Sequence, residues 1–590
     1  MGMIYQRFCL ALLLFTMACF IGAVHAADGK ATDQERMGLV SRLEQSLKGY
    51  EVNLLEKHYI DYTFSTFHAM SAYRSLLLWA ATQNEDDPSR NDILGVVREG
   101  MVAVVRDSGA GLPLAGWSGA GQPISVMYAG SLPRYAQGLD FNEPSTLAWT
   151  TSDQKKLVTP GTVGQSLAAK ALLILADRSD EGRGANSVIF FSLIKELEIL
   201  ADHFFLQEKG EMGAVANGAY MPLEVRMQGQ AEWGVSNKDS ALQGQASLLQ
   251  GLTHTLRLFQ RDDLIKGFFV DGKAEGRDLL QWKELARRTL DEVFSFIASR
   301  HYALEAGSFV SDYALDSGTG DRIMIVDAIE ILRALDAVVN TLPEKDPLRN
   351  TAHDYIKAQA EFIKVALEKR KGRMPRGFLL KRKTPLYGLV QEFSNYAAVM
   401  SVLLIADKYV DDEAFKELAK TIFREVDKVY WSEKSKVYRA AEGHKVAAFD
   451  GHNFSLILDW FGQMRMLLPG LVDFNQRQRD FFQVVIKNGE LLQCEGPANG
   501  ETRLPEDYFA NEIPALADRL IEIEPAKRDG EITAFIRDAA DQDNDGLPGC
   551  SFGGGEFGAA PVIIKQMSVS TPFLTSEAGH DGQVRRNYGF

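Results

Sequence analysis

The chain has 590 residues, 46% hydrophobic, 24% charged and 10% aromatic, with a formal net charge of −15. That apolar content excludes an intrinsically disordered chain, and 51 glycines with 19 prolines exclude a collagen-like one. The acidity repels a phosphate backbone, so no nucleic-acid partner is expected.

The first residues, MGMIYQRFCLALLLFTMACFIGAVHAADGK, place Arg7 before an apolar run from Phe8 to Val24. Val24-His25-Ala26 then fits a small-x-small cleavage site. Residues 1–26 therefore read as a secretory signal peptide, and the protein is expected in the periplasm or outside the cell. No later stretch reaches the ~20 apolar residues of a membrane span, so none is expected after cleavage. Cys9 and Cys19 leave with the signal. Cys494 and Cys550 remain, as one disulfide or as two buried thiols.

From Thr32 to Arg537 helical periodicity dominates. Apolar residues recur at three- and four-residue steps in Ser41–Tyr50 and Thr63–Ala81. Further helical stretches are 161–176, 187–205, 240–259, 279–299, 322–340, 349–369, 386–409, 412–429, 452–468 and 507–522. Some, such as QSLAAKALLILA, mix small residues with leucine, the texture of a helix packed on several sides. Others, such as KELAKTIFREVDKVY, carry one apolar stripe and a charged face. The two kinds tend to alternate, which predicts two concentric layers.

Three of the amphipathic helices end in an aromatic residue, a Glu-containing turn and a short extended piece, followed by a polar loop. HFFLQEKGEMGA from His203 leads to the helix at Ser240, HYALEAGSFVSD from His301 to the helix at Arg322, and VYWSEKSKVYRA from Val429 to the helix at His452. This unit resembles the helical hairpin of the (α/α) toroid enzymes. That superfamily includes six-hairpin glycosidases, polysaccharide lyases and the N-acylglucosamine 2-epimerase group. The resemblance is architectural and spans residues 32–523. It implies a mainly α fold, an (α/α)6-7 toroid of helical hairpins over residues 27–525, with a small irregular or β C-terminal appendage at 526–590. It also implies a carbohydrate-active enzyme acting on an oligo- or polysaccharide. A glycoside hydrolase comes first, with a polysaccharide lyase or sugar epimerase as the alternative. A non-catalytic envelope protein that binds glycan or protein is a further reading, because fold does not fix function. The oligomeric state stays open.

Residues 110–159 interrupt the helical text with glycine, proline and aromatics. Trp117, Tyr128, Tyr135 and Trp149 offer flat faces for sugar rings, or they fold the insertion onto the toroid.

In a toroid the loops before the buried helices open onto one end of the central cavity, so chemistry is sought there. Trp233 and Asp239 precede the helix at Ser240, where Asp239 also fits a helix cap. Tyr313 precedes the helix at Arg322, and Asp327 lies inside IMIVDAIEIL with apolar neighbours on both sides. A buried carboxylate of that kind needs a partner or a raised pKa. Glu392 opens the next buried helix, and Asp450, His452 and Trp460 come from AFDGHNFSLILDW. An inverting glycosidase needs two carboxyls ~6.5–9.5 Å apart, whereas a lyase or epimerase needs His or Tyr to move a proton. The expected catalytic residues are Asp239 paired with Asp450, helped by His452 and Tyr313. Trp117, Trp149, Trp233, Glu392 and Trp460 are the expected substrate contacts. No GxSxG elbow, P-loop or HExxH motif occurs.

Near the C-terminus, DAADQDNDGLPGC sets Asp541, Asp543 and Asp545 at alternate positions before Gly546. Hard oxygen ligands on such a turn fit a structural calcium ion, the one cofactor expected. Phe552 stands where an EF-hand loop has its final Glu. The segment resembles a single calcium-binding thrombospondin type 3 repeat, with Gly549 where that pattern often has Asp. Beyond it, short β-prone runs at 561–564 and 567–570 predict a small β-element or a tail docked on the toroid, pinned there if Cys494 and Cys550 are bridged.

Overall fold

Leucine with alanine, glycine and serine on every face makes a helix that neighbours can bury all round. The computed structural model describes most of residues 62–482, together with 575–577 and 584–587. It omits 109–126, 130–154 and shorter loop segments such as 440–445 and 450. Six helices of the leucine-rich kind stand at its centre: α1 (Thr66–Ala80), α3 (Pro160–Ala176), α5 (Leu242–Phe259), α7 (Ile325–Thr341), α9 (Phe393–Asp407) and α11 (Gly451–Leu467). Each packs on the next, and α11 packs back on α1, so the ring is closed. Each is followed by an outer helix that returns along it: α2 (Pro88–Ser108), α4 (Gly182–His203), α6 (Leu279–Phe296), α8 (Pro347–Leu367), α10 (Ala414–Tyr430) and α12 (Phe474–Phe482). The described residues thus form an (α/α)6 toroid, with six hairpins rather than seven. Because every inner helix is followed by an antiparallel outer one, all the inner helices run in the same direction. Their N-termini share one end, the mouth.

The two layers differ as the sequence predicts. All of α9 is buried except Tyr396 and Asp407. In α10 the buried residues are Phe415, Ala419, Ile422, Phe423, Val426 and Tyr430, an apolar stripe, while Glu417, Arg424, Glu425 and Lys428 face water. Small residues let inner helices approach closely. A Cβ on Gly164 of α3 would stand 2.2 Å from the Ser247 carbonyl carbon of α5, and one on Gly251 would stand 2.3 Å from the Gly164 carbonyl oxygen. Pro160 starts α3, and Thr159 caps it by accepting the Thr162 N–H at 3.1 Å.

Periodicity does not pick out α2 or α12. Gly95, Gly100 and scattered valines weaken the helical signal of α2, and α12 has only nine residues. The expected starts at Ser240, Arg322 and Leu386 are strand residues, and the helices begin at Leu242, Ile325 and Phe393. The signal segment 1–26, the stretches 41–50 and 507–522, most of the insertion 110–159 and most of the appendage 526–590 lie outside the described residues.

Each repeat noted in the sequence is a two-stranded hairpin after an outer helix: Phe205–Leu206 with Met212–Gly213, Tyr302–Ala303 with Ser308–Phe309, and Trp431–Ser432 with Val437–Tyr438. Further strands stitch the mouth. β1 (Tyr62–Phe64), β2 (Met127–Ala129), β3 (Lys155–Val158), β4 (Glu224–Gln228) and β5 (Glu232–Asn237) form one antiparallel sheet in that order. It joins the entries of α1, α3 and α5. β6 (Ser240–Ala241) pairs with β7 (Asp312–Ala314), which pairs with β8 (Gly318–Thr319) and so joins α5 to α7. β9 (Arg322–Met324) pairs with β10 (Gly377–Leu379), itself paired with β11 (Thr384–Leu386), and this joins α7 to α9.

Candidate active site

The middle of the ring is closed by charge. Arg74 stands eight residues after Thr66, Gln250 eight after Leu242, Arg333 eight after Ile325 and Asp459 eight after Gly451. These four share one level, roughly 12 Å below the mouth at about 1.5 Å per residue. Asp459 Oδ2 accepts from Arg74 Nη2 at 2.8 Å and lies 3.2 Å from Arg333 Nη2. Arg74 also donates to Gln250 Oε1 at 3.0 Å, and Arg333 to Glu330 Oε1 at 3.0 Å. The network links α1, α5, α7 and α11, and all four charged side chains are 9% exposed or less. It forms a floor.

Above the floor the mouth keeps accessible polar groups. Asp327 lies two residues after Ile325, in the first turn of α7, and is half-buried. Burial pushes its carboxyl up to about 7. A hydrogen bond from Ser311 opposes the rise, while the charges of Asp312 and Glu330 support it. Glu392, just before α9, is half-buried and accepts from the Asn395 amide at 3.4 Å. Asp327 and Glu392 thus sit at the entries of adjacent inner helices. A carboxyl that holds its proton near pH 7 can act as a general acid.

Asp239 is half-buried at the rim, and its Oδ1 accepts the Leu315 N–H at 3.4 Å. Beside it lies a pair that sequence spacing does not reveal. Ser240 and His301 are both buried, with Ser240 Oγ 2.9 Å from His301 Nε2 and His301 Nδ1 3.0 Å from the Val310 carbonyl. A carbonyl only accepts, so Nδ1 carries the proton and Nε2 accepts from the serine. Burial holds His301 down at about 4, so it is neutral near pH 7. Tyr313 is 8% exposed and packs edge-on to Phe296 at 5.9 Å, with Arg300 5.6 Å above its ring. Tyr220 stacks on Phe296 at 4.4 Å, and burial pushes its phenol up to about 12. The structure therefore brings Asp239 and Tyr313 into one rim cluster with Ser240 and His301.

Trp233 is half-buried, edge-on to Phe204 at 5.6 Å. Trp460 corrects the expectation of a sugar contact. It is fully buried among Phe393 at 5.3 Å, Tyr438 at 5.4 Å and Phe461 at 4.9 Å. Its neighbour Asp459 faces the axis, and one residue further turns the side chain about 100° away, into the packing between layers. Asp450, Trp117, Trp149, the side chain of His452, the calcium candidates Asp541, Asp543 and Asp545, and Cys494 and Cys550 lie outside the described residues. Among the described residues no group of three His, Cys, Asp or Glu is placed to hold a metal ion. Likewise, no described helix is long and apolar enough to cross a membrane.

No protein-family model matches the chain, and no curated protein matches it. Solved structures of similar fold share little sequence with it. A cellobiose 2-epimerase from Spirochaeta thermophila matches with 12% identity and a TM-score of 0.44, over 72% of this chain and 98% of the epimerase. A polysaccharide lyase matches with 12% identity and a TM-score of 0.40, over 74% of this chain and 99% of the lyase. A glycosyl hydrolase of family 88 from Bacteroides vulgatus matches with 11% identity and a TM-score of 0.38, over 74% and 99% of the two chains. Those activities belong to those proteins.

Proposed function

We propose that the chain is an exported carbohydrate-active enzyme, a glycoside hydrolase, working in the mouth of the toroid with Asp327 as the general acid. The observation that carries this reading is the half-buried carboxyl of Asp327, pushed up to about 7, at the mouth end of a helix whose buried Arg333 lies deeper in the ring. A glycosidic oxygen needs a proton as its bond breaks, and such a carboxyl delivers one at neutral pH. Glu392, at the entry of the adjacent inner helix α9, is the candidate for the second carboxyl. Asp239, at the rim, adds to the acidic supply, and Asp450, expected from the sequence as its partner, remains part of the proposal. Export rests on the signal-like residues 1–26, and a structural calcium ion at Asp541, Asp543 and Asp545 remains part of the proposal.

The test is reducing-end release from a panel of bacterial and plant oligosaccharides by the purified protein and by Asp327→Asn. Cleavage by the parent, reduced by about 10²-fold or more in the variant, is expected for loss of a general acid. Equal turnover in both proteins removes Asp327 from the mechanism.

A further inference from the structure

The entries of the inner helices from α1 to α9 are stitched in sequence by strand pairing, and the entry of α11 lies beyond the last of these links. α11 and α1 are the last and first inner helices, and they are neighbours. Along the seam between them they are tied at half depth by Arg74 to Asp459 at 2.8 Å, and at the far end by Arg465 to Thr82 at 2.5 Å. The mouth end of the seam is different. β1 ends two residues before α1, while β12 (Val446–Phe449) ends two residues before α11. β1 pairs on its inner side with β2, and its other side would be an open edge. Open strand edges attract further strands.

Both β1 and β12 are paired by the C-terminal end of the chain. β13 (Thr575–Glu577) adds to β1 antiparallel, with Tyr62 opposite Glu577, Thr63 opposite Ser576 and Phe64 opposite Thr575. β14 (Val584–Asn587) adds to β12 antiparallel, with Val446 opposite Asn587, Ala447 opposite Arg586, Ala448 opposite Arg585 and Phe449 opposite Val584. Residue 577 and residue 584 are separated by six positions, so the strands that pair on the two sides of the seam are near neighbours in the chain.

We infer that the C-terminal strands are a clasp. They extend the belt of strand pairs around the mouth to α11 by joining its entry to the entry of α1, and so hold the first turn of α11 against the rest of the rim. The clasp follows from topology and register alone and does not depend on the proposed activity. It also gives the appendage a structural role, because its last residues supply the strand link that ties α11 to the belt formed in the helical unit.

Engineered disulfides in the full-length protein test the register. Residues directly opposite in an antiparallel pair have Cα atoms about 4.5–5.5 Å apart, within disulfide reach. Two variants are made, Ala447→Cys with Arg586→Cys and Ala448→Cys with Arg585→Cys, and a third pairs Thr63→Cys with Ser576→Cys. Peptide mapping by mass spectrometry separates these bridges from any formed by Cys494 and Cys550. A bridge in at least one of the β12–β14 variants and in the β1–β13 variant is the expected result. Its absence in both β12–β14 variants, or in the β1–β13 variant, overturns the clasp. Hydrogen exchange supplies a second readout that needs no new cysteine. In Arg585→Pro with Arg586→Pro, which removes two consecutive backbone N–H groups, amides at 446–449 should exchange at least about 10-fold faster while α5 keeps its protection. Unchanged protection at 446–449 counts against the clasp as firmly as the missing bridges.

Discussion

Replacing Asp459 by alanine removes the acceptor that two arginines of the floor share. Arg74 and Arg333 lie 2.8 and 3.2 Å from Asp459 Oδ2, and their side chains are 1% and 7% exposed. Without Asp459, Arg74 keeps among the described residues the neutral oxygens of Gln250 and Ser75, while Arg333 keeps Glu330. Leaving a buried charge uncompensated costs about 3–5 kcal/mol, a large part of the about 5–15 kcal/mol that holds a typical domain together. Asp459→Asn keeps one carbonyl acceptor and the shape of the side chain, so it should lose less than Asp459→Ala. The control is Arg370→Ala, which breaks an ion pair to the exposed Glu425 at 3.1 Å; there a change of about 0–1 kcal/mol is expected. Equilibrium urea unfolding of the three variants reads the difference. If Asp459→Ala unfolds within about 1 kcal/mol of the control, the floor is hydrated, and its buried character is refuted.

Other consequences are as direct. Gly164→Ala should cost about 1–3 kcal/mol, because its Cβ meets the α5 backbone, whereas Gly95→Ala in open space should hold or raise the melting temperature. Thermal melts of the pair check both signs. The carboxyl of Asp327 sits at about 7 in the fold against an ordinary 3.8. The native state therefore holds a proton that the unfolded chain releases. Its contribution to stability is complete below 3.8 and is lost as pH rises through about 7. Asp327→Asn should remove that slope from a plot of unfolding free energy against pH, and an unchanged slope would assign it to other groups. Ser240→Ala leaves His301 Nε2 buried without its donor, which should cost about 1–3 kcal/mol in the same unfolding assay.

Much of the architecture is legible in the residues. The small-residue and leucine texture of 161–176 and 240–259 marks inner helices, because glycine at 164 and 251 lets two backbones touch. The one-sided stripe of 412–429 marks an outer helix. The three aromatic-plus-turn endings mark the hairpins, since each needs a tight turn between two short strands. Asp327 also stands out, as a carboxylate between apolar neighbours. The floor is harder to read. Arg74 and Asp459 are each a single charge within an apolar run (YRSLLLWA and LILDWFG), Arg333 shares IEILRAL with Glu330 alone, and only the closed ring shows that these charges meet. Sparse charges in three leucine-rich helices are nonetheless a signal, since each needs a buried partner. Ser240 and His301 are 61 residues apart with no motif between them, so only strand pairing brings them together. Trp460 misleads because an aromatic beside an axial Asp459 suits a sugar platform equally well in sequence. The helical turn between them sends one side chain to the axis and the other into the core.

Catalysis in the mouth is tested most sharply by a crystal structure of the Asp327→Asn protein soaked with an oligosaccharide that the parent protein cleaves. The expected result is a sugar in the mouth above the Arg74–Asp459–Arg333 floor, with a glycosidic oxygen within hydrogen-bond reach of the residue at 327. A sugar bound away from the mouth, or a mouth filled by the chain's own side chains, would contradict it.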